Sequence, residues 1–282
     1  MGSGEGVPPG AGQPPARTGT DPDATAPAVR PGGDPPAIGT RGLVKDFRGF
    51  RAVDGVDLSV APGTVHALVG PNGAGKTTLF NLLTGFLAPT AGQVFVAGRE
   101  VTGQPPERIA AHGVARSFQV TSLFPRLSAR EHVELALAGK LSRQFWRSEK
   151  LLDRFADRAG DLLERVGLAD AADAPVETLA YGRKRALELA LALALEPAVL
   201  LLDEPTAGMG MEDVDRTVEL IGRIREGRTV VMVEHNMSVV GALADRVSVL
   251  TAGKVLVEGP YQEVRADERV ITAYLGAADA AH

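Results

Sequence analysis

Val65-His66-Ala67-Leu68-Val69-Gly70-Pro71-Asn72-Gly73-Ala74-Gly75-Lys76-Thr77-Thr78 is a short, mostly apolar run, then a glycine-rich turn, then a lysine and two threonines. An apolar run of that length between turn signals reads as a buried strand. Gly70 to Thr77 fits the pattern G-x-x-x-x-G-K-[ST]. Glycines there let successive backbone amides curl around a phosphate. A helix starting near Lys76 aims the positive end of its dipole at the same point. Lys76 adds a mobile charge for β- and γ-phosphates. Thr77 offers a hydroxyl to Mg²⁺, which keeps water and phosphate oxygens as its other ligands. The stretch predicts a strand–loop–helix unit binding ATP and Mg²⁺ through Gly70, Pro71, Asn72, Gly73, Ala74, Gly75, Lys76, Thr77 and Thr78.

On the N-terminal side, Leu43–Phe47 and Val53–Val60 read as strands joined by a turn at Arg48-Gly49-Phe50, with a second turn at Ala61-Pro62-Gly63. On the C-terminal side, the helix Lys76–Phe86 is followed by a strand at Gln93–Val96. From about Ser128 to Gly167, leucines such as Leu151, Leu152, Leu162 and Leu163 recur at helical spacing among many charges. This predicts a helical subdomain over about residues 120–182. Strands at Ala198–Leu202, Thr229–Val233 and Val247–Leu250 then alternate with helices, the pattern of a parallel sheet with crossover helices. The fold class is α/β.

Residues 1–36 are rich in Pro, Gly, Ala and Asp and nearly lack large apolar side chains. Such a segment cannot offset its ordering entropy by burial and is expected to be a disordered tail. The folded domain is expected over residues 38–276, with 277–282 as a short C-terminal tail. Apolar residues make up 44% of the 282, enough for a full core, and there is no cysteine, which excludes disulfides and thiolate metal sites. The net charge of −5 gives no indication of a nucleic-acid partner. The N-terminus lacks the pattern of a signal peptide. The most apolar stretch, Ala186–Leu202, is interrupted by Glu188, Glu196 and Pro197, too short for a membrane span.

Val199-Leu200-Leu201-Leu202-Asp203-Glu204 is a buried strand ending in two carboxylates. At the carboxyl end of a parallel strand such side chains reach the ligand crevice. Asp203 is expected in the Mg²⁺ shell, and Glu204 is expected to orient and polarise the attacking water, since phosphoryl transfer depends on placement and charge stabilisation.

With these motifs in this order, the chain from about Ile38 onward resembles the ATP-binding-cassette (ABC) transporter ATPases. That resemblance implies a P-loop cassette with a RecA-like parallel-sheet core, an antiparallel β layer and a helical subdomain. It places Gln119, in ARSFQ, at the Q-loop, touching Mg²⁺ and the attacking water. It places Leu179-Ala180-Tyr181-Gly182-Arg183 at the signature motif, which contacts the ATP held by a partner subunit. Relative to the usual LSGGQ, Ala180 lacks the serine hydroxyl, and Arg183 in place of Gln is expected to add charge. Pro205–Met209 resembles the D-loop, His235 the switch histidine that contacts the γ-phosphate, and Phe47 the aromatic that stacks on adenine, although a core Phe is a competing reading. LAYG, VEHNMSVV and ITAYLG are similar to the LivG-type ATPases of branched-chain amino-acid uptake.

The resemblance further implies a second ABC ATPase subunit, in a homo- or heterodimer, two membrane permeases and a solute-binding protein. The expected location is the cytoplasmic face of the plasma membrane. Left open are a urea or amide importer, a lipid or polysaccharide exporter, and a non-transport ABC protein. A GTPase would need an N-K-x-D motif, which is not found.

Overall fold

The computed structural model describes residues 35–117, 123–139 and 149–279. The N-terminal tail up to residue 34, Gln119 and the last three residues lie outside that description. Strands β1 (Ile38–Phe47) and β2 (Phe50–Val60) form a hairpin, and β4 (Ala91–Val96) with the short β5 (Arg99–Glu100) completes an antiparallel sheet in the order β2-β1-β4-β5. The second sheet has six strands in the order β10-β9-β3-β8-β7-β6. Its members are β3 (Val65–Val69), β6 (Val114–Arg116), β7 (Val199–Asp203), β8 (Thr229–Val233), β9 (Arg246–Thr251) and β10 (Lys254–Gly259). All pairings are parallel except β9 with β10. Every residue of β3 and β8 is buried, as expected for central strands covered on both faces.

Period-two alternation divides the core in two. Val65, Ala67 and Val69 of β3, with Leu200 and Leu202 of β7, face one cluster; Leu68, Val199, Leu201, Val231 and Val233 face the other. This second cluster lies between the two sheets and takes in Leu79, Phe80, Leu82 and Leu83 of helix α1 (Lys76–Leu83). The phosphate loop is therefore anchored at both ends, by a central strand and by a helix packed between sheets. The first cluster holds the helical subdomain: α3 (Ala129–Ala138), α4 (Glu149–Arg165) and α5 (Tyr181–Ala194) pack on one another. Ser128 and Glu131 form a reciprocal capping box at the start of α3. The remaining helices are α2 (Pro106–Ala111), α6 (Met211–Ile224), α7 (Met237–Leu243), α8 (Tyr261–Ala266) and α9 (Glu268–Asp279), the last reaching into the expected C-terminal tail.

The structure departs from the sequence reading at the end of α1, and it adds two strands, β6 and β10. Helix α1 stops at Leu83 rather than Phe86, because Gly85 turns at φ 75°, where a Cβ would meet the Gln104 carbonyl at 2.4 Å. Helix α5 starts at Tyr181, so Tyr181 and Gly182 form its first turn. Strand β6 has only three residues, too few to show a period, and β10 is an only partly buried edge.

A buried polar network ties β3 to the sheet edge. The His66 Nε2 lies 2.8 Å from the Ser248 hydroxyl, which donates to Glu258, itself paired with Arg246. Burial pushes the His66 imidazole down to about 4, with Glu258 opposing the shift and Arg246 adding to it. The unfolded imidazole titrates near ~6.5, so the unfolded chain binds more protons between that pH and the folded value. Stability is thus present above ~6.5 and lost as pH falls toward 4. Burial of Glu188, raised to about 7, acts in the opposite sense over an overlapping range. The difference between variants isolates the histidine. In thermal melts between pH ~7 and ~5, His66→Gln is expected to lose less of its melting temperature than the parent chain.

Candidate nucleotide site

The loop's conformation follows from its glycines. Gly70 sits at φ 149°, and a Cβ there would strike the Leu250 carbonyl oxygen at 2.2 Å. Gly75 caps α1 at φ 99°, and a Cβ there would strike the Ala52 carbonyl oxygen at 2.3 Å. The loop can press onto β2 and β9 only with hydrogen at both positions. Lys76 is buried, and its Nζ donates to the carbonyl oxygens of Gly70 at 2.7 Å and Pro71 at 2.9 Å. Burial lowers its pKa, while the carboxylates of Glu204 and Asp203 oppose the shift.

A cleft of about 240 Å³ opens over this loop, lined by Phe50, Ala52, residues 72–78, Glu204 and His235. Residues far apart in the chain thus meet at the carboxyl ends of β3, β7 and β8. Glu204 follows β7 in a left-handed conformation, φ 48°, which is unusual for a residue with a side chain. Its amide donates to the Val233 carbonyl at 3.0 Å, and its Oε1 accepts from His235 Nε2 at 2.8 Å. Both side chains remain about 40% exposed, open to water and to a γ-phosphate.

Asp203 ends β7 on the face occupied by α1, and Arg116 ends β6 on the same face. The two form an ion pair at 2.5 Å with little exposure on either side. Sequence reasoning missed Arg116; its signal was the alternation in Val114-Ala115-Arg116, hidden by the brevity of the strand. It also missed Glu234. That carboxylate is buried on the opposite face of β8, where Oε1 accepts from the Thr206 amide and hydroxyl while Oε2 accepts from the His235 and Asn236 amides. One side chain therefore ties the turn at Thr206 to the backbone at His235 and Asn236.

Phe47 and Arg183 have neighbours of their own within the chain. Phe47 lies half-exposed in the hairpin, with the Lys45 amine 5.2 Å over its ring, and the aromatic lining the cleft is its cross-strand partner Phe50. Arg183, expected to add charge at the signature, is engaged with Asp170 at 2.8 Å. Ala180 caps α5 without any side-chain hydrogen bond, leaving the amides of Tyr181 and Gly182 at an uncapped helix N-terminus. Leu179 is buried, and the Tyr181 hydroxyl donates to the Ala207 carbonyl at 3.2 Å. None of Leu179, Ala180, Tyr181 and Gly182 lines the cleft over the phosphate loop.

The residues at this site suit Mg²⁺ in its usual form. Among the described residues no group of three or more His, Asp or Glu side chains converges as a protein-only metal cage. Thr77 lines the cleft, Asp203 acts on the charge of Lys76 inside it, and the Asp203 carboxylate already holds a cation, the Arg116 guanidinium. A metal that takes most of its ligands from phosphate and water fits this donor set.

A family model described as ABC transporter matches residues 53–207, and another, described as branched-chain amino acid ATP-binding cassette transporter, matches residues 254–280. The chain belongs to the ABC transporter ATPases. A curated relative, the high-affinity branched-chain amino acid transport ATP-binding protein LivG of Escherichia coli (strain K12), is 37% identical over 254 residues, 86% of this chain and 99% of LivG. The ADP conformation of MJ1267, an ATP-binding cassette of an ABC transporter, superposes with a TM-score of 0.77 at 27% identity, covering 85% of this chain and 98% of that one. A dimeric post-hydrolysis state of the cassette MJ0796, bound to ADP and Pi, gives 0.69 at 25% identity over 79% and 98%. As an ABC ATPase, the chain binds and hydrolyses ATP to drive transport. Among its described residues no helix is long and apolar enough to cross a membrane.

Proposed function

We propose that this ABC ATPase powers uptake of branched-chain amino acids, paired with a second cassette and bound to two permeases at the cytoplasmic face of the plasma membrane. A solute-binding protein delivers the substrate. The observation that carries the catalytic part is the Glu204–His235 hydrogen bond at the mouth of the phosphate-loop cleft. Lys76 and the loop amides hold the phosphates of ATP, and Phe50, beside Phe47, offers a face for the base. Thr77 and Asp203 would hold Mg²⁺, with Gln119 as a further contact. When bound, Mg²⁺ neutralises charge on the β- and γ-phosphates. Glu204 orients the attacking water, and His235 holds Glu204 and the γ-phosphate end of the site in place. The partner's signature completes the site, in keeping with a cleft that Leu179, Ala180, Tyr181 and Gly182 do not line. The closed pair has lower free energy with ATP in place, so ATP binding shifts a two-state equilibrium that the permeases follow.

The solute rests on the likeness to LivG and on the C-terminal match over residues 254–280. The test is ATPase activity of the complete transporter in liposomes. Leucine- or isoleucine-loaded binding protein is expected to raise turnover several-fold (about fivefold is sufficient to read). Stimulation by a urea- or amide-loaded binding protein instead would overturn the assignment of solute.

A further inference from the structure

Arg116 stands on strand β6, outside the phosphate loop and outside the catalytic pair. The parity of β6 and β7 puts it on the α1 face beside Asp203, and its Nη2 donates to Asp203 Oδ2 at 2.5 Å. The guanidinium has a second seat in the same place. Its Nη1 donates to the Asn81 side-chain oxygen on α1 at 2.6 Å, and it lies 5.9 Å from the ring centroids of both Phe80 and Phe86. Only 18% of its side chain is exposed, so the position is a built one rather than a surface arm. Asn81 and the two rings give the guanidinium partners other than Asp203.

We propose that Arg116 is a positioning residue that competes with the divalent cation for the Asp203 carboxylate. The inference rests on the reading of Asp203 as part of the Mg²⁺ shell. A hard cation seeks the same carboxylate oxygens that the guanidinium occupies. When the carboxylate turns to the metal, Arg116 remains on Asn81 and the aromatic faces, which take up a cation without a carboxylate. Arg116 thereby sets how strongly nucleotide binding depends on metal: it weakens the metal-loaded form relative to the metal-free form.

The experiment is calorimetric binding of ADP to the purified full chain, once with EDTA and once with Mn²⁺ as the probe cation, so that no hydrolysis is involved. Arg116→Gln is expected to tighten ADP binding in the presence of Mn²⁺ by about tenfold, the worth of one charge-assisted hydrogen bond. With EDTA it is not expected to tighten. Arg116→Lys, which keeps a competing charge, is expected to stay within about threefold of the parent. Asn81→Ala works in the opposite direction: it removes the alternative acceptor, ties Arg116 to Asp203 and weakens Mn²⁺-dependent binding. A merely structural arginine would weaken both conditions alike when replaced. Unchanged or weaker Mn²⁺-dependent binding in Arg116→Gln overturns the proposal. Should that variant not fold, Arg116→Met, which keeps an unbranched apolar chain beside Phe80 and Phe86, and Asn81→Ala test the same competition. If the parent chain binds ADP no better with Mn²⁺ than with EDTA, it is the metal-site reading that fails, a result distinct from failure of the competition.

Discussion

Glu204→Gln is expected to lower ATP turnover of the assembled transporter by about 10²- to 10⁴-fold, the range typical of a lost general base. ATP affinity should stay within about threefold of the parent. The substitution keeps the size of the side chain and its ability to meet His235, which lies 2.8 Å away. What it removes is the negative charge and basicity that orient and polarise water. Glu204 lies on the rim of the cleft, not in the cradle that holds the phosphates, so binding and hydrolysis separate at this residue. The left-handed backbone at φ 48° sets the carboxylate at the turn after β7. A glutamine takes up the same backbone conformation at the same steric cost, so stability should hardly change. Turnover and nucleotide affinity measured on the same preparation decide the matter; normal turnover with intact assembly would show that another group positions the water. With hydrolysis blocked and binding intact, the variant should also accumulate in the ATP-bound, paired state, visible by size-exclusion chromatography with ATP.

The parts of this site legible in the sequence are those with a local chemical grammar. The phosphate loop needs its glycines at fixed places for reasons that act within a few residues, and Gly70 and Gly75 show the cause: a side chain at either would collide with a backbone carbonyl. Asp203 and Glu204 were legible because an apolar strand ended in carboxylates. Residues whose roles arise from pairing across the sheet were not legible. Arg116 sits in a strand of three residues, and its meaning comes from β7, far along the chain. Glu234 precedes His235 and looks like a second polar residue at a strand end, yet strand parity sends it to the opposite face, where four donors converge on it. Phe47 and Phe50 are cross-strand partners, and of the two it is Phe50 that lines the cleft. The fold shows the same division. The long alternations and buried runs marked the central strands, while β6, β10 and the start of α5 depend on neighbours for their definition.

Lys76→Ala is expected to have the largest effect on binding. Its ammonium is buried in the loop, donating to the Gly70 and Pro71 carbonyls and lying within the field of Asp203 and Glu204. A phosphate arriving in the cradle brings strong acceptors to the end of this side chain, and the flexible stem lets the ammonium leave the carbonyls for them. Removing one partner of a buried, charge-assisted contact costs roughly 2–5 kcal/mol, an affinity loss of about 30-fold or more. The two carbonyls released by the substitution can turn to water in the open cleft, so the fold should suffer far less than the binding. Equilibrium dialysis with ATP and a thermal melt of the same variant separate the two effects. Unchanged affinity in a folded variant would contradict the loop assignment. Loss of affinity only alongside loss of the melting transition would assign Lys76 to the structure of the loop instead. Lys76→Arg sharpens the distinction, because it keeps the charge but replaces a compact ammonium with a planar fork that the cradle between the Gly70 and Pro71 carbonyls does not match. It should fold and bind more weakly than the parent, which places the requirement on the shape of the cation as well as on its charge.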